Sequence, residues 1–427
     1  MLRILVAGDL HIGRCSTRLP VGQDSLAHAA AAAWQRLVDL ALTWPADLLL
    51  LTGDVADHAN RFWEAIGPLE QGINRLGQAH IRTLAVAGNH DHDVLGRLAD
   101  QLDPQYFTLL GRGQRWQRIT IERNDTPVLH IDGWSFARQH VQATPLADYD
   151  PPHDPATPTL AMVHGDLDQP SSNYAPLRLD QLQAAPVAGW LLGHIHTPRL
   201  IQSDQRPPVL YPGSTQALDP AEPGPRGAWQ IQLEAGQWRS AVHVPLSSVR
   251  YETLDIDLSE CQDASAVETN IMAGLRDLAA QIVGTHGEHL QVLSCRLRLT
   301  GRTSLAAQLP SLVNKLAADL QLSLDNLHVC VEKLDIHAMP DVDLAAHARG
   351  QTALGALARL LIELDKPQPD RETAQLLVAA RNKILQIRQR QDYLTLPQPD
   401  PPDDQHTRSV LREQAAALLG QLLAQVE

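Results

Sequence analysis

The sequence predicts an α/β fold built on parallel strands, and two patterns support this prediction. Strand-like and helix-like segments alternate from residue 1 to about 245, which is typical of βαβ units with right-handed crossovers. Five apolar runs in this part each end in polar residues whose side chains can bind metals. Open α/β sheets carry their sites at the carboxyl ends of their strands, so the runs also predict one shared site.

The run that ends in Gly53 and Asp54 is the centre of this pattern. Four consecutive leucines at 48–51 indicate a strand that is buried on both faces. Glycine then permits a sharp turn and leaves the Asp54 carboxylate at the strand end. The other runs and their polar residues are 4–8 with Asp9 and His11, 84–88 with Asn89, His90 and Asp91, 160–163 with His164, and 190–193 with His194 and His196.

The segments between these runs complete an amino-terminal domain at 1–245. Alanine- and leucine-rich stretches predict two crossover helices, and shorter apolar patterns predict additional strands. We expect a second sheet facing the first, made from the strands after His196. The predicted segments are helices at 24–42 and 60–76, strands within 114–130, a proline- and aspartate-rich loop at 145–158, and strands at 209–214 and 227–244.

Two further regions follow the first domain. Residues 250–338 repeat a strand–helix pattern and predict a small α/β domain. Residues 339–427 are helical and are interrupted by proline-rich stretches at 366–370 and 397–404. Leucines at helical spacing form two stripes in this tail, and such stripes pack either on the same chain or on a partner. The stripes are Leu354, Leu357, Leu361 and Leu364, and Leu411, Leu418, Leu422 and Val426.

Composition restricts the class of protein. The chain has 427 residues, 44% of them hydrophobic, and a formal net charge of −14, whereas a protein that binds nucleic acid alone is usually basic. Its scattered cysteines form no Cys-x-x-Cys pair, which argues against a zinc ribbon or a disulfide framework. We find no signal-peptide pattern and no segment that could span a membrane, and we expect a cytoplasmic protein with reduced thiols.

Aspartate, asparagine and histidine at the strand ends predict a metal site. These ligands suit Mn²⁺, Fe²⁺ or Zn²⁺, and Asp-x-His and His-x-His place alternate side chains on one side of an extended segment. A single such motif is weak, because Gly-Asp is often only a turn and His-x-His is often structural. All five motifs in this order predict two divalent cations, of which Mn²⁺ is our first choice.

These motifs resemble those of the calcineurin-like metallophosphoesterase superfamily over residues 1 to about 245. The resemblance implies a two-sheet sandwich flanked by helices, with a small α/β capping domain and a helical C-terminal tail. It implies that Asp54 bridges the metals and that Asn89 also holds the phosphoryl group, while His90 acts on the leaving-group oxygen. One metal would be held by Asp9, His11, Asp54 and His196, and the other by Asp54, Asn89, His164 and His194. Asp91 would orient His90 or serve in a turn.

Within the superfamily, the segment Asp9 to Arg14 looks like the Asp-x-His-Leu-Gly opening of SbcD nucleases. Tyr211 to Ser214 and Gly224 to Gly227 look like the segment that follows the last ligands in that family, and the layout also resembles the YhaO-type branch. Phosphoprotein phosphatases carry Gly-Asp-x-x-Asp-Arg-Gly, and here the arginine is missing. Asp57 stands where archaeal and eukaryotic relatives have histidine and bacterial members have aspartate.

The resemblance therefore implies a DNA exonuclease and endonuclease subunit that works in repair. Its partners would be DNA and an SMC-like coiled-coil ATPase of the SbcC type, and a homodimer is compatible with it. Two alternatives stay open: a phosphodiesterase for small or nucleotide substrates, and a scaffold that binds metal and an ATPase without catalysis.

Overall fold

The computed structural model describes residues 1–20, 22–57, 62–150, 152, 154, 156–203, 205–316, 320–324, 326–388 and 403–423. The chain divides into two compact units. The first contains Met1–Glu252, Ala279–Ser294 and Leu322–Glu332, and the second contains Thr253–Leu278, Cys295–Gln321 and Lys333–Glu427. The predicted boundaries at 245, 250, 338 and 339 stay predictions.

A six-stranded sheet begins the first unit. Its spatial order is β12 (Gln237–Pro245), β11 (Gly227–Glu234), β1 (Leu2–Ala7), β2 (Leu48–Leu51), β3 (Arg82–Ala85) and β4 (Phe107–Leu109). Strands β1 to β4 are parallel, as predicted, whereas β11 pairs antiparallel with β1 and with β12. We expected residues 227–244 in the second sheet, and that expectation was wrong. The hairpin instead covers the edge of β1 and adds Ile231 and Leu233 to the apolar core beside Ile4.

A second six-stranded sheet also belongs to this unit. Its spatial order is β5 (Gln117–Arg123), β6 (Thr126–Trp134), β7 (Thr159–His164), β8 (Gly189–Gly193), β10 (Val209–Tyr211) and β9 (Arg199–Ile201). Strands β6, β7, β8 and β10 are parallel, and β5 and β9 are antiparallel edge strands. The apolar run at 160–163 and the run at 190–193 therefore lie in a different sheet from the first three runs.

The four leucines of β2 show how the two sheets pack. Leu48 and Leu50 join a core that includes residues of both sheets, such as Leu160 and Leu191. Leu49 and Leu51 point to the opposite face and join a separate core, because successive side chains of a strand alternate between faces. That outer core also includes residues of α1 (Ala30–Thr43), α2 (Phe62–Gln78) and α3 (Leu95–Ala99). The predicted two-sheet sandwich with flanking helices is confirmed.

Helix α1 begins later than the sequence pattern suggested. We predicted a helix from residue 24, but the helix starts at Ala30. The Asp24 carboxylate accepts a hydrogen bond from the Leu26 N–H at 3.0 Å, and the His28 ring bonds to the Ser248 hydroxyl at 2.9 Å. These local and long-range bonds hold residues 24–28 in turns.

The predicted strand–helix pattern of residues 250–338 is present. A four-stranded sheet has the order β13 (Val249–Asp257), β14 (Val292–Thr300), β17 (Leu327–Ile336) and β16 (Gln321–Leu324), with helices α5 (Ala264–His286) and α6 (Leu309–Leu316). Short strands β15 (Arg302–Thr303) and β18 (Met339–Pro340) pair with each other. The sequence pattern predicts a helix at 304–320, and α6 begins later than this pattern, at Leu309. Strand β16 was not predicted. A short helix α4 (Leu179–Ala184) precedes β8.

The tail contains helices α7 (Leu344–Ala348), α8 (Ala353–Leu364), α9 (Arg371–Arg388) and α10 (Asp404–Leu423). On α8, Leu354, Leu357 and Leu361 of the predicted stripe pack into one apolar cluster, and Leu364 is also buried. On α10, Leu418 is 47% exposed while Ala415, Ala416 and Leu419 are buried. The buried face of the helix therefore differs from the leucine stripe, and docking of that stripe on a partner stays a prediction. Small alanine side chains allow helices to approach closely, so the buried face of a helix cannot be identified from its leucines alone. Val426 and most of 397–404 lie outside the described residues.

No helix in the described part of the chain is both long and apolar enough to cross a membrane.

Candidate metal centre

The predicted ligands converge at the carboxyl ends of strands from both sheets. Strands β1, β2 and β3 of the first sheet and β7 and β8 of the second each end there. The Nε2 atoms of His11 and His196 lie 3.1 Å apart although 185 positions separate them in the chain. The site therefore forms only where the two sheets face each other.

One half of the centre contains Asp9, His11 and His196. The Oδ1 atom of Asp9 lies 3.9 Å from His196 Nε2. Both carboxylate oxygens of Asp9 also accept the His194 N–H, at 3.1 and 3.3 Å. These three side chains offer ligand atoms that all lie within 4.8 Å of one another.

The other half contains Asn89, His164 and His194. The Asn89 Oδ1 atom lies 3.0 Å from His164 Nε2 and 3.1 Å from His194 Nδ1. One oxygen and two imidazole nitrogens thus point to the same place, and this matches the second predicted ligand group.

Asp54 lies between the two halves. Its Oδ2 atom is 3.4 Å from His164 Nε2 and 3.9 Å from His11 Nε2. Its Oδ1 atom accepts the His90 N–H at 2.9 Å. This placement is the one that a bridging carboxylate requires, although the ligand roles themselves stay predictions.

Two glycines allow the loops to approach this carboxylate. A Cβ atom on Gly88 would lie 2.1 Å from Asp54 Oδ1, and one on Gly53 would lie 2.5 Å from the His164 ring. Gly53 also has φ +102°. Any larger residue at either position would displace a predicted ligand.

Several ligands themselves have left-handed backbone conformations. The φ angles are +46° at Asp9, +50° at His11, +50° at Asp54 and +96° at His194. Non-glycine residues rarely adopt this region, and such strain costs of order 1–3 kcal/mol per residue. The loops thus hold these side chains at the site at the expense of backbone stability.

The second ring nitrogen of each histidine faces a protein oxygen on the outer side. His164 Nδ1 is 3.1 Å from the Thr52 carbonyl oxygen, and a carbonyl can only accept, so this nitrogen carries the proton. His194 Nε2 lies 3.4 Å from Asp166 Oδ1, and His196 Nδ1 lies 2.6 Å from Glu222 Oε1.

His11 follows the same pattern with a different geometry. Its Nδ1 atom lies 3.2 Å from Asp57 Oδ1, but the angle departs from that of a hydrogen bond. Sequence reasoning missed Asp166 and Glu222. Asp166 follows His164 at the same i, i+2 spacing as the Asp-x-His motif, so a signal existed, whereas Glu222 lies on an irregular loop without one.

Burial and charge shift the pKa values of these groups. Burial disfavours protonated His164, but the Asp54 and Asp9 carboxylates outweigh it and raise the His164 pKa to about 9. Burial alone would raise the Asp54 pKa, but the surrounding imidazoles outweigh burial and hold this pKa well below its ordinary value. Burial likewise opposes ionisation of Glu222, yet its bond to His196 lowers the Glu222 pKa. Asp54 and Glu222 therefore favour their ionised forms.

His90 is placed beside the centre and remains accessible. Its side chain is 31% exposed. Its Nδ1 atom lies 3.2 Å from the Asp57 carbonyl oxygen, which fixes the proton on that nitrogen and turns Nε2 outward from the bond. The ring packs edge-on against His11 with centroids 4.9 Å apart.

Asp91 has a role other than orienting His90. Its carboxylate accepts the backbone N–H groups of Gly88 at 2.8 Å and Val55 at 2.7 Å. Burial and the nearby Asp54 charge raise the Asp91 pKa to about 7. Asp91 therefore joins the loops after β2 and β3, while Asp57 contacts His90.

The donor set fits a pair of divalent cations. Carboxylate and amide oxygens stand among inward-facing imidazole nitrogens, and the outer nitrogens face oxygens that keep those rings oriented. Such outer contacts are characteristic of metal-binding histidines. The residues at the site thus offer the oxygen and nitrogen donors that two divalent cations require.

Comparisons with known proteins match two parts of this chain. Residues 2–198 match the family model for calcineurin-like phosphoesterases, and residues 251–338 match the model for the middle domain of the metallophosphoesterase YhaO. The chain is 28% identical over 239 residues to the uncharacterized metallophosphoesterase YhaO of Bacillus subtilis (strain 168). That match covers 55% of this chain and 57% of the Bacillus protein, so the chain spans less than two thirds of its curated relative.

Solved structures give weaker similarities. The protein TT1561 of Thermus thermophilus has 12% identity and a TM-score of 0.35, with 57% of this chain and 98% of that chain covered. A dimetal phosphatase from Danio rerio has 12% identity and a TM-score of 0.33, with 54% of this chain and 92% of that chain covered.

Proposed function

From the premise that residues 2–198 form a calcineurin-like phosphoesterase domain, we propose that this chain is a metal-dependent phosphoesterase that hydrolyses phosphodiester bonds. The observation that carries the proposal is the convergence of the predicted ligands from two sheets around Asp54. The match of residues 2–198 to the phosphoesterase family supports it.

Two divalent cations, with Mn²⁺ as our first choice, would supply positive charge for the phosphoryl oxygens and acidify water. Asp9, His11 and His196 would hold one of them, Asn89, His164 and His194 the other, and Asp54 both. The chain itself supplies the shape of the site, because its glycines and outer hydrogen bonds fix these side chains before substrate arrives.

His90 is the group that the chain offers to the leaving oxygen. Its Nδ1 proton is held by the Asp57 carbonyl oxygen, so an imidazolium at this position would release its proton from Nε2. Transfer of that proton to the departing alkoxide would lower the barrier by the usual contribution of a general acid.

The substrate that we propose is DNA, processed in repair together with an SMC-like ATPase. The SbcD-like opening Asp9 to Arg14 and the segment Tyr211 to Ser214 support this choice. The net charge of −14 also favours a partner that supplies most of the grip on DNA. The middle-domain match to YhaO supports a shared architecture and leaves the substrate open.

The test is hydrolysis by the purified chain of labelled linear duplex DNA, hairpin DNA and bis(p-nitrophenyl) phosphate, each with Mn²⁺ and with Mg²⁺. We expect cleavage of the ester and of DNA ends with Mn²⁺, and a large loss of both activities in the Asp54→Asn variant. Activity on the ester with none on DNA, even with the ATPase present, would favour the small-substrate phosphodiesterase. Failure on every substrate, with metal still bound, would favour the scaffold.

A further inference from the structure

Glu222 lies outside the predicted ligand set, yet among the described residues it makes a hydrogen bond of only 2.6 Å to His196, one of the predicted ligands. It follows β10 in the loop that begins near Asp219. Its Oε1 atom is 2.6 Å from His196 Nδ1, and its Oε2 atom accepts the Leu218 N–H at 3.1 Å. The Glu222 side chain is only 16% exposed. Both oxygens are thus committed to fixed partners.

The loop that carries Glu222 is itself held in place. The Glu222 N–H donates to the Asp219 carbonyl oxygen at 2.8 Å, and the Gly224 N–H donates to the Tyr251 carbonyl oxygen at 2.9 Å. Residue 223 forms a β-bridge with Tyr251. A carboxylate on this loop has little freedom to move away from the His196 ring.

This contact selects one form of the His196 ring. An ionised carboxylate only accepts hydrogen bonds, so His196 Nδ1 must carry a proton. In the neutral ring, Nε2 then holds a lone pair, and Nε2 is the atom that lies 3.1 Å from His11 Nε2 and 3.9 Å from Asp9 Oδ1. The lone pair is thereby directed into the first half of the centre.

We propose that Glu222 is a positioning residue that fixes the His196 tautomer and ring orientation and so strengthens cation binding in the half of the centre formed by Asp9, His11 and His196. The proposal rests on the proposed function, because it assumes that the centre binds divalent cations. Glu222 acts through His196, and we assign it no contact with substrate.

A comparison with the other outer contacts explains why Glu222 should matter most. Asp166 stands 3.4 Å from His194, and the Thr52 carbonyl is neutral at 3.1 Å from His164. The 2.6 Å contact of Glu222 is in the range of charge-assisted hydrogen bonds, which are roughly twice as strong as neutral ones. Its removal should affect one half of the centre and spare the Asn89 half.

The experiment is a titration of the full-length chain with Mn²⁺, read by isothermal calorimetry and by electron paramagnetic resonance of free Mn²⁺. Glu222→Ala should weaken one of two Mn²⁺ sites by about 10- to 100-fold, the usual effect of losing such an outer partner. Glu222→Gln should show a smaller loss, because its amide oxygen can still accept the Nδ1 proton without the charge.

Asp219→Asn is the matched control, since Asp219 lies in the same loop and accepts the Ala221 N–H at 3.0 Å without touching His196. It should bind both ions as the wild type does. Equal Mn²⁺ affinities in wild type, Glu222→Ala and Glu222→Gln would overturn the proposal, as would a wild type that binds no Mn²⁺. If Glu222→Ala does not fold, the Glu222→Gln affinity alone decides.

A readout without catalysis separates this proposal from the proposed function. A wild-type chain that binds two Mn²⁺ ions and hydrolyses no ester would contradict the proposed function and leave the Glu222 measurement valid. Nitrogen chemical shifts of labelled histidine give a second readout, because loss of Glu222 should remove the preference of His196 for the Nδ1–H form.

Discussion

Asp54 lies between the two halves of the proposed centre. Its Oδ2 atom faces His164 and His11 from positions 3.4 and 3.9 Å away. We expect Asp54→Asn to lower Mn²⁺-dependent ester hydrolysis by about 10²- to 10³-fold or more, because a neutral amide cannot neutralise two cations. A melting curve in EDTA serves as the control for folding, and activity above a tenth of the wild-type value would contradict the bridging role.

Substitution of His90 should impair hydrolysis without impairing metal binding. It contacts Asp57 and packs on His11, and it is more exposed than the buried ligands. We expect His90→Gln to slow ester hydrolysis by about 10²- to 10⁴-fold, the range for a general acid, while two Mn²⁺ ions remain bound in a titration. Loss of one ion in this variant would show that His90 is a ligand.

The sequence indicated which polar side chains follow the ends of strands. It was less informative about the side chains that hydrogen-bond to them and hold them in position. Asp54 and Asn89 could be predicted because an apolar strand followed by glycine is a local pattern. Glu222 could not, since its loop has no periodicity and its contact to His196 spans 26 positions. For Asp91 the sequence left open a role beside His90 or in a turn. Its carboxylate accepts the Gly88 N–H within the turn, and its bond to the Val55 N–H of a distant loop could not be predicted.

At the scale of elements, the packing of α10 on α8 can be tested with neighbouring leucines. Leu419 is fully buried in the cluster that contains Leu361, whereas Leu418 is 47% exposed. We expect Leu419→Ala to cost about 2–5 kcal/mol of local stability and Leu418→Ala less than about 0.5 kcal/mol. Hydrogen exchange of the α8 and α10 amides measures both, and equal effects would refute the assigned face.

The carboxyl end of α5 should make the fold sensitive to acid. His286 is buried and donates from Nε2 to the Ser247 carbonyl oxygen at 2.9 Å, and burial lowers the His286 pKa from 6.5 to about 4. Between pH 6.5 and about 4, His286 is therefore protonated in the unfolded chain and neutral in the folded chain. The stability associated with neutral His286 is full above pH 6.5 and is lost as the pH falls towards 4.

His286→Gln removes this titration. We expect the free energy of unfolding of the variant, measured in urea and EDTA from pH 7.5 to 4.5, to fall less steeply than that of the wild type. Parallel curves for the two proteins would contradict the assignment.

Element boundaries show where sequence patterns stop being informative. The alternation of Leu48 to Leu51 between two cores follows from the period of a strand, and it was predicted. The pairing of β11 with β1 joins residues more than two hundred positions apart, and no local pattern reports such a pairing. The prediction of where α1 starts was wrong for a related reason, because the hydrogen bond between His28 and the distant Ser248 competes with helix formation.

At the scale of the whole molecule, α9 is the element that we propose as the docking surface for the proposed ATPase. Leu376 and Ile387 lie on the same face of this helix and are 41% and 42% exposed, and apolar helix faces commonly dock in partner grooves. We expect the double variant Leu376→Glu and Ile387→Glu to keep the wild-type melting temperature and ester hydrolysis and to lose co-purification with the proposed ATPase.

Gln375→Glu adds charge to the same helix at an exposed polar position and should leave that association intact. A double variant that still holds the ATPase as tightly as the wild type would remove α9 from the proposed interface.

The left-handed backbone at Asp9, His11, Asp54 and His194 has a consequence for laboratory evolution. Glycine at these positions would relieve of order 1–3 kcal/mol each, provided that its greater freedom in the unfolded chain does not cancel the gain. A library selected only for heat resistance should therefore accumulate substitutions at the residues that a library selected for hydrolysis retains. Substitutions at these four positions would be enriched by selection for heat resistance and depleted by selection for hydrolysis. Positions with such opposite responses would identify the residues of the centre.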